Sequence, residues 1–93
     1  MVVGVLTVEL FLAGSASLKD KRRVLKSLLA RLKARFNVSV AEVDRQDAWQ
    51  FSVLGAAAVS YEASHVYQTL AAAARFIEGT QGVEVIKINT EIL

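Results

Sequence analysis

Two periodicities alternate along this 93-residue chain. Over residues 2–12 both alternating sets are largely apolar. Val2, Gly4, Leu6, Val8, Leu10 and Leu12 form one, and Val3, Val5, Thr7, Glu9 and Phe11 the other. A central strand covered on both faces reads this way. After a short Ala-Gly-Ser-Ala connection the spacing changes. Leu18, Leu25, Leu28, Leu29, Leu32 and Phe36 fall on one stripe of a helix predicted over residues 18–36. Ser17 is placed as its N-cap, with Asp20 closing a weaker form of the capping box, and Asn37 is the expected stop.

Alternation returns over residues 38–44 and again over 49–59, separated by the polar, turn-like Arg45, Gln46, Asp47 and Ala48, so the pair reads as a hairpin. The second strand contains the tract Gly55-Ala-Ala-Ala58, whose small side chains let a neighbour approach closely. Ser60 is placed to cap a second helix over 61–78, buried through Val66, Leu70, Ala73, Ala74 and Ile77. Gly79 ends it, with Gly82 assisting the turn. A last strand over 83–92 carries Ile86, Ile88 and Ile92 on one side. The order β-α-β-β-α-β predicts an α+β, ferredoxin-like single domain over residues 1–93. Its four-stranded antiparallel sheet carries both helices on one face. The other face is left open, with Val3, Val5, Phe11, Phe51 and Val53, or the alternating set between them, as candidates to line it.

Composition sharpens this picture in one respect. Hydrophobic residues make up 54% of the chain, more than a domain of this size hides easily. Exposed apolar surface is therefore expected, and a homo-oligomer is the simplest way to cover it. There is no cysteine and no proline, which excludes a disulfide framework, a zinc–thiolate site and a proline-rich ligand. No segment has the length of a membrane span, and the N-terminus lacks the basic region of a secretory signal, so a cytoplasmic location is expected.

The charge is concentrated. Over residues 18–36 there are eight basic side chains and one acid, Asp20, while the whole chain is only +2. At 100° per residue, Lys19, Arg22, Arg23, Lys26 and Lys33 fall within an arc of roughly 100° beside the leucine stripe. Arg31, Arg35 and Lys21 are assigned to the other flank. A solvated amphipathic helix normally mixes signs, because opposite charges four residues apart stabilise it and like charges do not. Five cations on one strip instead suit a phosphate backbone. An acidic patch on another subunit is the rival partner.

Other candidates are weaker. Glu42, Asp44 and Asp47 cluster with Arg45 around the hairpin, where ion pairing and turn formation account for them. Trp49 opens the third strand and reads as a core or interface anchor. His65, the one histidine, belongs to the second helix's surface. The third strand lacks the basic-Gly-aromatic signature of sheet-face RNA readers, and Phe51 alone is no stacking platform. No Walker loop, dinucleotide fingerprint or nucleophile–base pairing is present. No cofactor or metal, and no enzymatic activity, is expected.

The run Ser17-Leu-Lys-Asp-Lys-Arg-Arg-Val-Leu-Lys-Ser-Leu, followed by Arg35-Phe-Asn-Val-Ser-Val-Ala-Glu-Val-Asp and then Gln46-Asp-Ala-Trp-Gln50, resembles the YlxP-like family of bacterial proteins, whose function is unassigned. The opening Gly4-Val-Leu-Thr-Val-Glu-Leu matches too. The resemblance implies a ferredoxin-like domain and a gene neighbourhood among translation-initiation and ribosome-maturation factors. Two features depart from it: Phe51 follows the Trp-Gln pair where relatives often have a polar residue, and the second helix is rich in alanine from 71 to 74. Both point away from RNA contact by the sheet edge or second helix, and neither touches the first helix.

Two functions are therefore expected to compete. One is a non-enzymatic RNA- or ribosome-associated module gripping phosphates through Lys19, Arg22, Arg23, Lys26 and Lys33, with Asp44, Asp47 and Trp49 shaping the adjacent hairpin. The other is a homo-oligomeric interaction domain that uses the apolar sheet face and no nucleic acid.

Overall fold

The two longest apolar alternations become the two central strands. In the computed structural model, which describes residues 1–93, the elements are β1 (Val2–Phe11), α1 (Leu18–Arg35), β2 (Ser39–Asp44), β3 (Phe51–Ser60), α2 (Ala63–Glu78) and β4 (Glu84–Ile92). The sheet runs β2-β3-β1-β4, with every neighbouring pair antiparallel. β1 and β3 pair over their full length, from Val2 opposite Ser60 to Phe11 opposite Phe51. This is the predicted ferredoxin-like arrangement.

Alternation decides which side of the sheet is covered. Leu6, Val8 and Leu10 of β1, Leu54, Ala56 and Ala58 of β3 and Val40 of β2 are buried. They meet Leu25, Leu28 and Leu32 of α1 and Val66, Leu70, Ala73, Ala74 and Ile77 of α2 in one core. The small-residue tract works as expected: Ala56 and Ala58 lie buried in the helix-facing layer. Gly4, beside Ala58 in the ladder, brings α2 closer still. A Cβ on Gly4 would collide with Val66 Cγ1 and stand 3.1 Å from Leu70 Cδ1.

The ends of the elements hold the corrections. Ser17 caps α1 as expected, its Oγ accepting from the Asp20 amide at 3.1 Å. The reciprocal bond shifts by one residue, with Asp20 Oδ2 accepting from the Ala16 amide at 3.1 Å. Asn37 is not a left-handed stop. The chain turns extended at Phe36 (φ −127°), whose ring lies edge-on to Phe76 of α2 at 5.9 Å. Ser60 does not cap α2. It is the last residue of β3, and the N-cap is Glu62, with no side-chain capping bond. Gly79 ends α2, and the left-handed turn position is Gly82 (φ 85°). In β4, Ile88 and Ile92 pair with Val8 and Gly4, while Ile86 falls at a bulge and stays half exposed. No helix is long and apolar enough to cross a membrane.

Candidate nucleic-acid interface

Helix α1 is built from one buried line and one cationic line. The residues it buries are Lys21, Leu25, Leu28 and Leu32, at positions i, i+4, i+7 and i+11 of a single face. Lys19, Arg22, Arg23, Lys26 and Lys33 are all exposed, on an arc that runs from Arg22 at the flank of the buried line round to Arg23 on the far side. Of these five, Arg23 alone has an acidic partner, Asp20 at 3.3 Å on the same helix. Lys19, Arg22, Lys26 and Lys33 have no carboxylate within 4.0 Å. Arg31 and Arg35 lean over the Phe76 ring of α2, at 5.7 and 5.0 Å from its centroid. That contact leaves both residues exposed.

Lys21 departs from the expected pattern. Grouped with Arg31 and Arg35 on the other flank of the leucine stripe, it is 1% exposed. On the helical wheel it sits about 20° from Leu28 and Leu32, inside the leucine stripe. Its ammonium is saturated. Nζ donates to Arg45 O at 2.7 Å and Phe51 O at 3.0 Å, with Gln46 O at 3.3 Å, and pairs with Glu42 Oε2 at 3.0 Å. Ser52 Oγ donates to the same Glu42 oxygen at 2.6 Å. Burying a lone ammonium is prohibitive, and these partners are what makes the burial possible. Lys21 thus pins the hairpin loop to α1. Gln50 extends the clamp, donating from Nε2 to Ala13 O at 3.3 Å and accepting from the Leu12 amide at 2.7 Å. With Ser52 at 0% and Lys21 at 1% exposure, Lys21, Glu42 and Ser52 join α1, β2 and β3.

The hairpin residues separate into distinct roles. Asp44 Oδ1 accepts from the Arg45 amide at 2.7 Å, the expected turn chemistry. Arg45 takes the left-handed conformation (φ 64°) and lies over the Phe51 ring at 4.9 Å. Asp47 is exposed. Trp49 precedes β3, in the loop, and is 58% exposed, so it is not a core anchor. Glu42, grouped with these acids, faces the opposite side and pairs with Lys21 instead. His65 is exposed, edge-on to Tyr61 at 5.5 Å. Phe51 is not solitary: Phe11 sits beside it across β1 and β3, with ring centroids 5.3 Å apart. Their shared alternation phase puts both phenylalanines on one face, and the β1–β3 register sets them side by side.

The family model described as a protein of unknown function, DUF503, matches residues 3–90. The chain belongs to this family. It is 36% identical over 90 residues to the uncharacterized protein YlxP of Bacillus subtilis, covering 97% of this chain and 98% of that protein. The match runs from within β1 to within β4, so the basic helix, the clamped hairpin and nearly all of the open sheet face lie within the DUF503 region.

Proposed function

We propose that this chain is a non-enzymatic binding module for RNA or a ribosomal subunit, active in the cytoplasm, with α1 as its phosphate-contacting element. The observation that carries the reading is the set of exposed cations, Lys19, Arg22, Lys26 and Lys33, without a carboxylate within 4.0 Å. Like charges one turn apart repel, and neutralisation by a polyanion relieves that repulsion while releasing the polyanion's counterions. The cations project from an 18-residue helix that is fixed along its opposite face by three leucines and Lys21, so the strip is preorganised. The Lys21 clamp holds the hairpin bearing Asp44, Asp47 and Trp49 against the same helix.

The test is co-sedimentation with purified ribosomal subunits, and binding to RNA fragments from them, at low salt. Combined Arg22→Glu, Arg23→Glu and Lys26→Glu substitution is expected to abolish binding. Retained binding would remove the strip from consideration, and preferential capture of an acidic protein would reassign it to a protein partner.

A second reading has its own observation and is compatible with the first. The uncovered sheet face carries the half-buried Val3, Val5, Phe11, Phe51 and Val53, with Val59 54% exposed. A contact between copies of the chain would cover that face.

A further inference from the structure

We propose that the uncovered sheet face receives a second copy of this chain in one particular register, with Lys87 of each protomer set against Asp44 of the partner subunit. The inference rests on the reading of that face as a contact between copies and adds the geometry of the contact.

The strand pairings arrange the face in rows, read in the order β2-β3-β1-β4. One row is Asp44, Val53, Glu9, Lys87; the next is Ala41, Gly55, Thr7, Asn89; the next is Ser39, Ala57, Val5, Glu91. Val59 and Val3 lie beyond these at one end, and Phe51, Phe11 and Glu84 at the other. A two-fold axis parallel to the strands, running between β3 and β1, preserves height along the strands and exchanges β1 with β3 and β4 with β2. Each row then meets its own reverse. Phe11 faces Phe51, Val3 faces Val59, Val5 faces Ala57 and Glu9 faces Val53, while Val43 of the same chain, whose Cγ1 lies 2.9 Å from where a Cβ on Gly55 would be, fills the space above Gly55. This is the self-complementarity that an isologous contact requires, in the aligned packing common for two sheets.

The charges select this axis over others. Asp44 and Lys87 occupy opposite edges of the sheet in the same row, and neither has an opposite charge within 4.0 Å in its own chain. The proposed axis brings the two together twice. An in-plane axis perpendicular to the strands through that row would stack Glu9 on Glu9 and Lys87 on Lys87. Nucleic acid is the poorer occupant. The face carries Glu9, Asp44, Glu84 and Glu91 against Lys87 and Arg45, and that acidic balance repels phosphate. Because both helices cover the other side of each sheet, such a dimer would carry its two α1 strips outward, on opposite faces.

The test is sedimentation equilibrium of the full chain and its variants. The expected result is a dimer for the wild type and a monomer for Val53→Lys. Lys87→Glu and Asp44→Lys should each weaken the dimer by about tenfold or more, and their combination should restore it, the coupling signature of a direct pair. These side chains lie outside the core, so each variant should keep the wild-type circular dichroism spectrum. A wild-type monomer, or a dimer indifferent to Val53→Lys, overturns the sheet-face reading and this inference together. A dimer broken by Val53→Lys but showing no rescue in the Lys87/Asp44 pair overturns the register alone. A monomer whose RNA binding falls on Phe51→Ala would assign the face to bases instead.

Discussion

Helices α1 and α2 cover the same side of the same sheet by different physical means. α2 lies close to it because its neighbours are small. Gly4, Ala56 and Ala58 on the sheet and Ala73 and Ala74 on the helix leave room for close backbone approach, and no charge is buried. α1 rests on three leucines and one saturated lysine, and turns a line of cations outward. The difference shows that charge on a helix does not have one meaning. On α1 one lysine is a structural bolt, two arginines pack on an aromatic ring, and the remainder face solvent with Asp20 as their sole acidic partner.

The contrast can be broken first at Lys21. Lys21→Ala leaves Glu42 without its cation and strips the Arg45 and Phe51 carbonyls of a donor. The expected loss is about 3–5 kcal/mol, a large share of the roughly 5–15 kcal/mol that holds a domain together. Chemical denaturation measures it. A loss near that of an exposed lysine would mean that the clamp contributes little. Next comes Gly4→Ala, which forces Val66 and Leu70 away from the sheet. About 1–3 kcal/mol is expected, and a neutral result would show that α2 shifts freely. The smallest effect on stability belongs to the triple charge reversal of Arg22, Arg23 and Lys26. These surface positions are expected to change unfolding free energy by only about 0.5 kcal/mol or less each, while binding is lost. A collapse of stability there would put the strip in the fold rather than in recognition.

Much of this contrast was legible before any coordinates. Alternation and helical spacing disclose six elements and their order, because burial imposes those periods directly; which face of the sheet the helices cover stays open, since β1 is apolar on both. Ser17 declares itself as a cap by its position before the leucine stripe. The cationic strip needs only the wheel. What failed were features decided by contacts remote in sequence. Lys21 is grouped with Arg31 and Arg35 on the flank of the leucine stripe, but its burial depends on partners that come 24 to 30 residues later. Asn37 and Ser60 had suitable chemistry for helix ends, yet packing of Phe36 on Phe76 and the extension of β3 to Ser60 settled those ends otherwise. Trp49 reads as the first residue of the third strand, but the clamped loop runs past it and β3 begins at Phe51. Phe11 and Phe51 share an alternation phase, but finding them side by side takes the register between β1 and β3 as well, which alternation within a single strand does not specify.

The account turns on whether the outward cations of α1 neutralise phosphates. Its most direct test is the affinity for ribosomal RNA measured across a range of salt concentrations. Five cations engaged on duplex RNA are expected to give a slope of log K against log[salt] of roughly −4, shallower by about one for each cation of the strip replaced by glutamine. Binding whose slope is flat, or a slope that stays the same when Arg22 and Lys26 are neutralised, would contradict it.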